Sequence, residues 1–329
     1  MTPLYGQDEA VAAFRRGLDS GRLHHAWLIS GPQGVGKATF AEKAALRVLA
    51  EGAGPPVAAP GLDVPDDHPI AKLVEAGSHP DLMRLERAVK DNGELARSIN
   101  VDQVRGLQRL FATTASLSPW RVVIIDAADD LERSAANALL KNLEEPPPKS
   151  LFLLVAHAAQ RLLPTIRSRC RQLRLTYLDN DAMTSALKAA LPDADETEIR
   201  ALANAGEGSP GRAVAFRGLD IGGLDRAMES LAAEGDPTGR ERAALAGALA
   251  LKSAQPRYEA FLARAPSFLA AAARERRGAE LAEALRLWER AAELAGSAKG
   301  LSLDPQSVVF ELGGMIAALA PRGRVTAAR

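Results

Sequence analysis

The chain has 329 residues, with 41 basic against 41 acidic side chains, 47% hydrophobic and 4% aromatic residues, and a single cysteine. That length holds two or three domains with aliphatic cores, and the balanced charge excludes a global field drawing the molecule to nucleic acid or membrane, although a local basic face stays open. The lone Cys170 excludes an intramolecular disulfide, no apolar run reaches spanning length, and the N-terminus, with Asp8 and Glu9 near its start, lacks a signal pattern, so a soluble cytoplasmic protein with no membrane partner is expected.

In chain order, Gly6 to Gly21 sets Ala10, Val11, Phe14 and Leu18 at helical spacing, which predicts a first helix. Ala26 to Ser30 is a short apolar run, followed by the glycine-rich stretch from Gly31 to Thr39, and helical periodicity returns from Lys37 to Ala50 through Phe40, Ala44, Ala45 and Val48. Strand, glycine loop and helix are the setting of a phosphate-binding loop. Glu51 to Pro80 is rich in Gly, Pro, Ala and Asp and reads as an irregular insertion with a short helix at best. Further apolar runs at Leu82 to Leu85, Val122 to Asp126, Leu151 to Ala156 and Gln172 to Leu175 alternate with helical stretches such as Val101 to Phe111 and Ser134 to Leu143. Such alternation predicts an α/β fold with a parallel sheet covered by helices on both faces.

After Tyr177 the strands stop. Short helical patterns from Asp179 close at Gly206 to Gly211, and from Leu224 the chain is Ala- and Leu-rich. Breaks at Gly235 to Pro237, Gln255-Pro256, Gly278 and Gly296 to Leu303 suggest about five helices, the last capped by Asp304 with Pro305 in its first turn. The arginines of the tail, Arg322, Arg324 and Arg329, read as a solvated end.

In a phosphate loop, backbone N–H groups at the helix start cradle phosphates, the lysine reaches the outer phosphates, and the next residue's hydroxyl holds Mg²⁺. Here Gly31, Gly34, Gly36 and Lys37 are in place, but Ala38 stands where the hydroxyl belongs, and Thr39 substitutes only if the loop shifts by one residue. Val122 to Asp126 ends in the carboxylate expected to hold the Mg²⁺ shell, yet Ala127 follows where a water-activating glutamate would stand. Asp129 and Asp130, just beyond, read as a solvated acidic cap. Phosphoryl transfer depends on positioning and charge stabilisation, so these two losses predict nucleotide binding through the loop amides and Lys37 without hydrolysis.

Leu4-Tyr-Gly-Gln7, Gly21-Arg-Leu-His-His-Ala-Trp27, the loop itself, Asn137-Ala-Leu-Leu-Lys-Asn-Leu-Glu-Glu-Pro146 and Ser168-Arg-Cys170 occur in that order. Together they resemble the clamp-loader branch of the AAA+ superfamily, as found in bacterial DNA polymerase III. The motifs cover about residues 4 to 216, and the C-terminal region agrees in type only. The resemblance implies an AAA+ P-loop module over residues 1–177, a small helical lid over 178–217 and an all-helical collar for oligomerisation over 218–329.

The resemblance also implies that Arg169, in the Ser-Arg-Cys triplet, projects into a neighbouring subunit's ATP site as an arginine finger. An always-charged planar fork suits that role. The other reading is an ordinary surface arginine in the string Arg167, Arg169, Arg171 and Arg174. Cys170 reads as a small buried spacer. Arg212, in Gly208-Ser-Pro-Gly-Arg212, resembles the lid's sensor arginine and is a candidate contact to a nucleotide on its own subunit, the other reading being a helix-start charge. Where active relatives keep a threonine after the Leu151 to Ala156 strand, this chain has Ala156 and His157.

Many bacterial relatives carry a four-cysteine zinc module in the insertion. Here it holds only His68 and His79 as candidate ligands, so no zinc is expected. His24 and His25 read as packing residues before the first strand. The implied cofactor is ATP or ADP, bound without hydrolysis, and the implied partners are gamma/tau- and delta-type subunits, with the sliding clamp and primer–template DNA reached through the assembly. Two functions stay open: a structural, trans-activating subunit, or an active gamma-like ATPase motor in which Thr39 and Asp129 stand in for the missing groups. The matching losses at Ala38, Ala127 and Ala156 favour the first.

Overall fold

Five short apolar runs form five parallel strands in the computed structural model of the protein, which describes residues 2–91, 93–112 and 114–321. Arg322, Arg324 and Arg329, read as a solvated tail, lie outside the described residues. The strands are β1 (Ala26–Ser30), β2 (Leu82–Glu86), β3 (Arg121–Asp126), β4 (Ser150–Ala156) and β5 (Arg171–Arg174), in the order β2-β3-β4-β1-β5. Central β4 is buried at every residue, which is why it reads as an unbroken apolar run rather than an alternation. The registers pair Ser30 with Ala156 and Asp126 with Val155. The ends of β1, β3 and β4 therefore meet at one carboxyl edge, where open parallel sheets place their ligands.

The sheet is covered by α1 (Asp8–Asp19), α2 (Lys37–Gly52), α3 (Pro69–Glu75), α4 (Val101–Arg105), α5 (Leu107–Ala112), α6 (Arg133–Glu144) and α7 (Pro164–Arg167). Phe14 of α1 meets Trp27 of β1 and Phe40 of α2 at ring-centroid distances of 5.1 and 6.0 Å, tying the first two helices to the central strands. The stretch Val101 to Phe111, predicted as one helix, is two. Asn100 and Gln103 form a capping box at the start of α4, and at Gly106 the ladder changes to an i to i+3 bond, with Arg109 N–H donating to the Gly106 carbonyl at 3.1 Å.

The insertion is better organised than its composition suggests, because it folds around one buried arginine. Arg47, 4% exposed, donates to the carbonyls of Ala59 and Asp63 at 2.7 Å each, to Val57 at 3.2 Å and to the Glu51 carboxylate at 2.7 Å. Lys43 adds an ion pair to Asp63 at 2.6 Å. His68 caps α3 by accepting from Ile70 N–H, and its other ring nitrogen meets the Pro55 carbonyl at 3.1 Å.

Three further helices follow β5: α8 (Asn180–Ala190), α9 (Glu196–Gly206) and α10 (Pro210–Ala215). Asp179 and Asp195 cap the first two through Ala182 and Glu198 N–H. The chain divides into two compact units, Met1–Ala215 and Phe216–Arg329. Among its described residues the second unit holds α11 (Ile221–Glu234), α12 (Arg240–Leu249), α13 (Gln255–Arg274), α14 (Gly278–Gly300) and α15 (Pro305–Ala317). Asp304 caps α15 as expected, whereas α14 runs through Gly296, where a break was predicted. Within this unit α15 packs against the other four, burying Val309, Leu312 and Ile316. Asp236 accepts from both the backbone and the side chain of Arg242, whose guanidinium lies 4.6 Å from the Phe310 ring centre. Among the described residues no helix is long and apolar enough to cross a membrane.

Candidate functional site

A cavity of about 440 Å³ opens at the carboxyl edge of the sheet. Gly34, Gly36, Lys37, Ala38 and Thr39 of the loop line it, with Asp126 from the end of β3 and His157 just past β4. Tyr5, Leu178, Ala186 and Val214 supply apolar wall. Gly36 is the N-cap of α2 and offers no side-chain acceptor, and the first turn of the helix, Lys37 to Thr39, lines this space, the setting in which helix N–H groups bind anions. Gly31 is fixed by close approach, since a Cβ there would lie 2.3 Å from the Leu175 carbonyl oxygen.

Lys37 is 4% exposed and turned back on its own loop, donating to the carbonyls of Gly31 at 2.9 Å and Pro32 at 2.6 Å. Burial lowers its pKa, opposed by the charges of Asp126 and Asp129. Asp126 is shifted the other way: burial raises its pKa most, Glu86 and Asp130 add to this, and His157 and Lys37 oppose it. Ala38 is exposed and brings a methyl where a metal-binding oxygen would sit, while Ala127 and Ala156 are buried without polar side chains. The loop amides and Lys37 thus suit an anion, while the position directly after Lys37 brings no hydroxyl and Thr39, one residue on, supplies the loop's hydroxyl to the lining.

Asp129, read as part of a solvated cap, is committed to the protein. Its two oxygens accept from His157 N–H at 2.9 Å and Ala158 N–H at 3.2 Å, fastening the turn after β4. Asp130 pairs with Arg87 at 3.0 Å. Arg212 is likewise engaged away from the cavity wall, its Nε and Nη2 donating to the Gly206 carbonyl at 3.0 and 2.7 Å and Nη2 meeting Glu207 at 3.1 Å. It closes the C-terminus of α9, where carbonyls need donors.

Sequence reasoning missed the residues that join the start of α10 to the glycine loop. Ser209 Oγ donates to the Gln33 carbonyl at 2.9 Å, and Gly211 N–H donates to the Gly34 carbonyl at 2.9 Å. Gln7 donates to the Thr176 carbonyl at 2.9 Å and the Val35 carbonyl at 3.3 Å, tying the loop to the segment after β5. The signal was present in the Gly-Ser-Pro-Gly run and in Leu4-Tyr-Gly-Gln7, but a backbone partner leaves no trace in sequence.

Arg169 lies in the turn after α7 and does not line the cavity. Nη1 donates to the Thr165 carbonyl at 2.9 Å and Nη2 pairs with Glu144 at 2.7 Å, leaving the side chain 34% exposed. Its neighbour Cys170 is buried in the main core cluster, and burial pushes the thiol up to about 12, which removes it as a nucleophile. His24 and His25 stack at 4.5 Å and hydrogen-bond to the carbonyls of Ala26 and Leu143. Among the described residues no group of three or more His, Cys, Asp and Glu could hold a metal ion.

Residues 6–179 match the family described as DNA polymerase III, delta subunit. The DNA polymerase III subunit delta' of Pseudomonas aeruginosa is 38% identical over 197 residues, covering 60% of this chain and 57% of that protein. The tau subunit of Escherichia coli DNA polymerase III is 34% identical over 214 residues, covering 62% of this chain and 30% of that protein. A Thermotoga maritima protein related to the DNA polymerase III gamma subunit superposes with a TM-score of 0.43 at 15% identity, over 94% of this chain and 99% of that one. The chain thus spans little more than half the length of the Pseudomonas relative and less of the tau subunit.

Proposed function

The chain belongs to the DNA polymerase III delta subunit family, and from that membership we propose that it serves as a delta-prime-type subunit of the clamp loader, lending Arg169 to a neighbour's ATP site while its own site no longer hydrolyses ATP. The observation that carries this reading is the placement of Arg169. Its guanidinium is partly exposed, stands apart from its own nucleotide cavity, and retains unused N–H donors after its two contacts. At a subunit boundary such a group stabilises charge on a transferring phosphoryl group, worth about 10³ to 10⁵ in rate where arginine fingers have been measured.

The chain's own cavity supports a binding role without turnover. The loop amides and Lys37 would hold the phosphates of ATP or ADP, and the nucleotide, when bound, supplies only its charge and shape to the fold. No hydroxyl follows Lys37 and no carboxylate follows Asp126. The alternative, a gamma-like motor with Asp129 as stand-in base, is disfavoured because that carboxylate is spent on the N–H groups of His157 and Ala158. The partners under this proposal are gamma/tau- and delta-type subunits, with the sliding clamp and primer–template DNA engaged through the assembly.

The test is ATP turnover by the purified chain in the presence of Mg²⁺. No turnover is expected; turnover that Lys37→Ala abolishes would overturn the loss of hydrolysis.

A further inference from the structure

We propose that Glu144 is a positioning residue for Arg169, orienting the guanidinium for presentation to a neighbouring subunit; this rests on the reading of Arg169 as a finger acting in trans. Glu144 is the last residue of α6, and Glu145 follows it. Two carboxylates at the carbonyl end of a helix oppose its dipole, so a local helical preference does not account for them. A long-range partner accounts for Glu144: its Oε1 accepts from Arg169 Nη2 at 2.7 Å. The other terminal nitrogen, Nη1, donates to the Thr165 carbonyl at 2.9 Å. Anchors from two elements, the end of α6 and the turn of α7, thus hold both terminal nitrogens of one planar group. Together they set its plane as well as its position, and they leave donors unspent for phosphate oxygens.

Magnitude separates positioning from restraint. The two side chains are 34% and 47% exposed, and an ion pair so exposed biases a population by a factor of about five at most. An arginine finger gains about 10³ to 10⁵ from the transferring phosphate. Glu144 is therefore too weak a partner to withhold Arg169 from a phosphate. It is strong enough to narrow the rotamers of a long side chain before the phosphate arrives, which lowers the cost of reaching the productive geometry.

The experiment is steady-state ATP turnover by the complex reconstituted from this chain with gamma/tau- and delta-type subunits, for Glu144→Ala, Glu144→Gln, Arg169→Ala and the Glu144→Ala/Arg169→Ala pair. Glu144→Ala should lower kcat by about two- to fivefold with KM unchanged. Glu144→Gln, which keeps an oxygen acceptor, should recover part of that loss. In the Arg169→Ala background Glu144→Ala should add nothing. If Arg169→Ala depresses kcat while Glu144→Ala leaves it unchanged or raises it, the positioning role is overturned and the finger stands. If Arg169→Ala changes nothing, the finger reading falls and the positioning role with it. A Glu144→Ala loss that persists in the Arg169→Ala background marks damage to the fold and also overturns the proposal.

Discussion

The N–H of Gly211 donates to the carbonyl of Gly34 at 2.9 Å, joining the last helix of the first unit to the glycine-rich loop main chain to main chain. Ser209 Oγ reinforces the joint through Gln33, and Gly34 itself sits at φ +78°, where an added Cβ would lie 2.4 Å from Ser209 Oγ and 3.2 Å from the Gly211 Cα.

Gly34→Ala should therefore destabilise the fold by roughly 2–4 kcal/mol, from left-handed strain and steric overlap together. Ser209→Ala, which removes the bond to the Gln33 carbonyl and the one accepted from Arg212 N–H, should cost about 1–2 kcal/mol. Urea unfolding measures both. A Gly34→Ala midpoint equal to that of the parent chain would mean that the loop and α10 are not in contact in solution.

Arg47 offers a second test, because its guanidinium closes the insertion from inside. Arg47→Met should cost about 3 kcal/mol by leaving buried carbonyls without their donor and the Glu51 carboxylate with Arg15 as its remaining partner. Limited proteolysis should then cut first within residues 53–63, the segment those bonds hold. Chelation with EDTA should leave the unfolding temperature unchanged; a fall would reveal a metal contribution that the arginine does not replace.

The pH dependence follows from His79. Its ring is buried, Nδ1 accepts from Asp81 N–H at 3.1 Å, and Nε2 has no hydrogen-bond partner. Burial lowers its pKa below the ordinary 6.5, with Asp81 opposing. The unfolded chain then binds the proton before the folded chain does, so stability is unaffected well above 6.5 and declines as pH falls through 6.5 toward the lower folded value. His25, lowered by burial and by His24, contributes with the same sign. Thermal unfolding between about pH 7.5 and 5.5 should give a falling midpoint, and His79→Asn, which keeps an acceptor beside Asp81, should flatten the slope. An unaltered slope would remove His79 as its source.

The strands were legible because both faces of the sheet are covered. Burial on both sides turns Leu151 to Ala156 into a continuous apolar run that needs no tertiary information to recognise. The loop, Asp126 and the cap of α15 were legible for a similar reason, since each depends on residues adjacent in the chain. What escaped depends on partners far away. Arg47 looks like any helical arginine until the carbonyls of Val57, Ala59 and Asp63 fold onto it. Asp129 looks solvated until β4 brings the N–H groups of His157 and Ala158 to it. Arg212, read either as a nucleotide contact or as a helix-start charge, is held within its own segment by the Gly206 carbonyl at the end of α9. Gly106 looked neutral within its periodic stretch, because periodicity records which face is apolar and not where the hydrogen-bond ladder changes pitch.

The bonds from Lys37 to the carbonyls of Gly31 and Pro32 make those two carbonyls intramolecular competitors of an anion for the ammonium. A phosphate that uses this ammonium must first displace two acceptors that are always at hand, so its apparent affinity is the intrinsic affinity scaled by the fraction of time the lysine is released. A released fraction of about one in a hundred would weaken binding about a hundredfold without altering a single contact in the bound state. Under the proposed nucleotide-binding role, ligands rich in negative charge would overcome that competition more readily than those relying on fit to the apolar wall, and the loop would have a threshold set by charge.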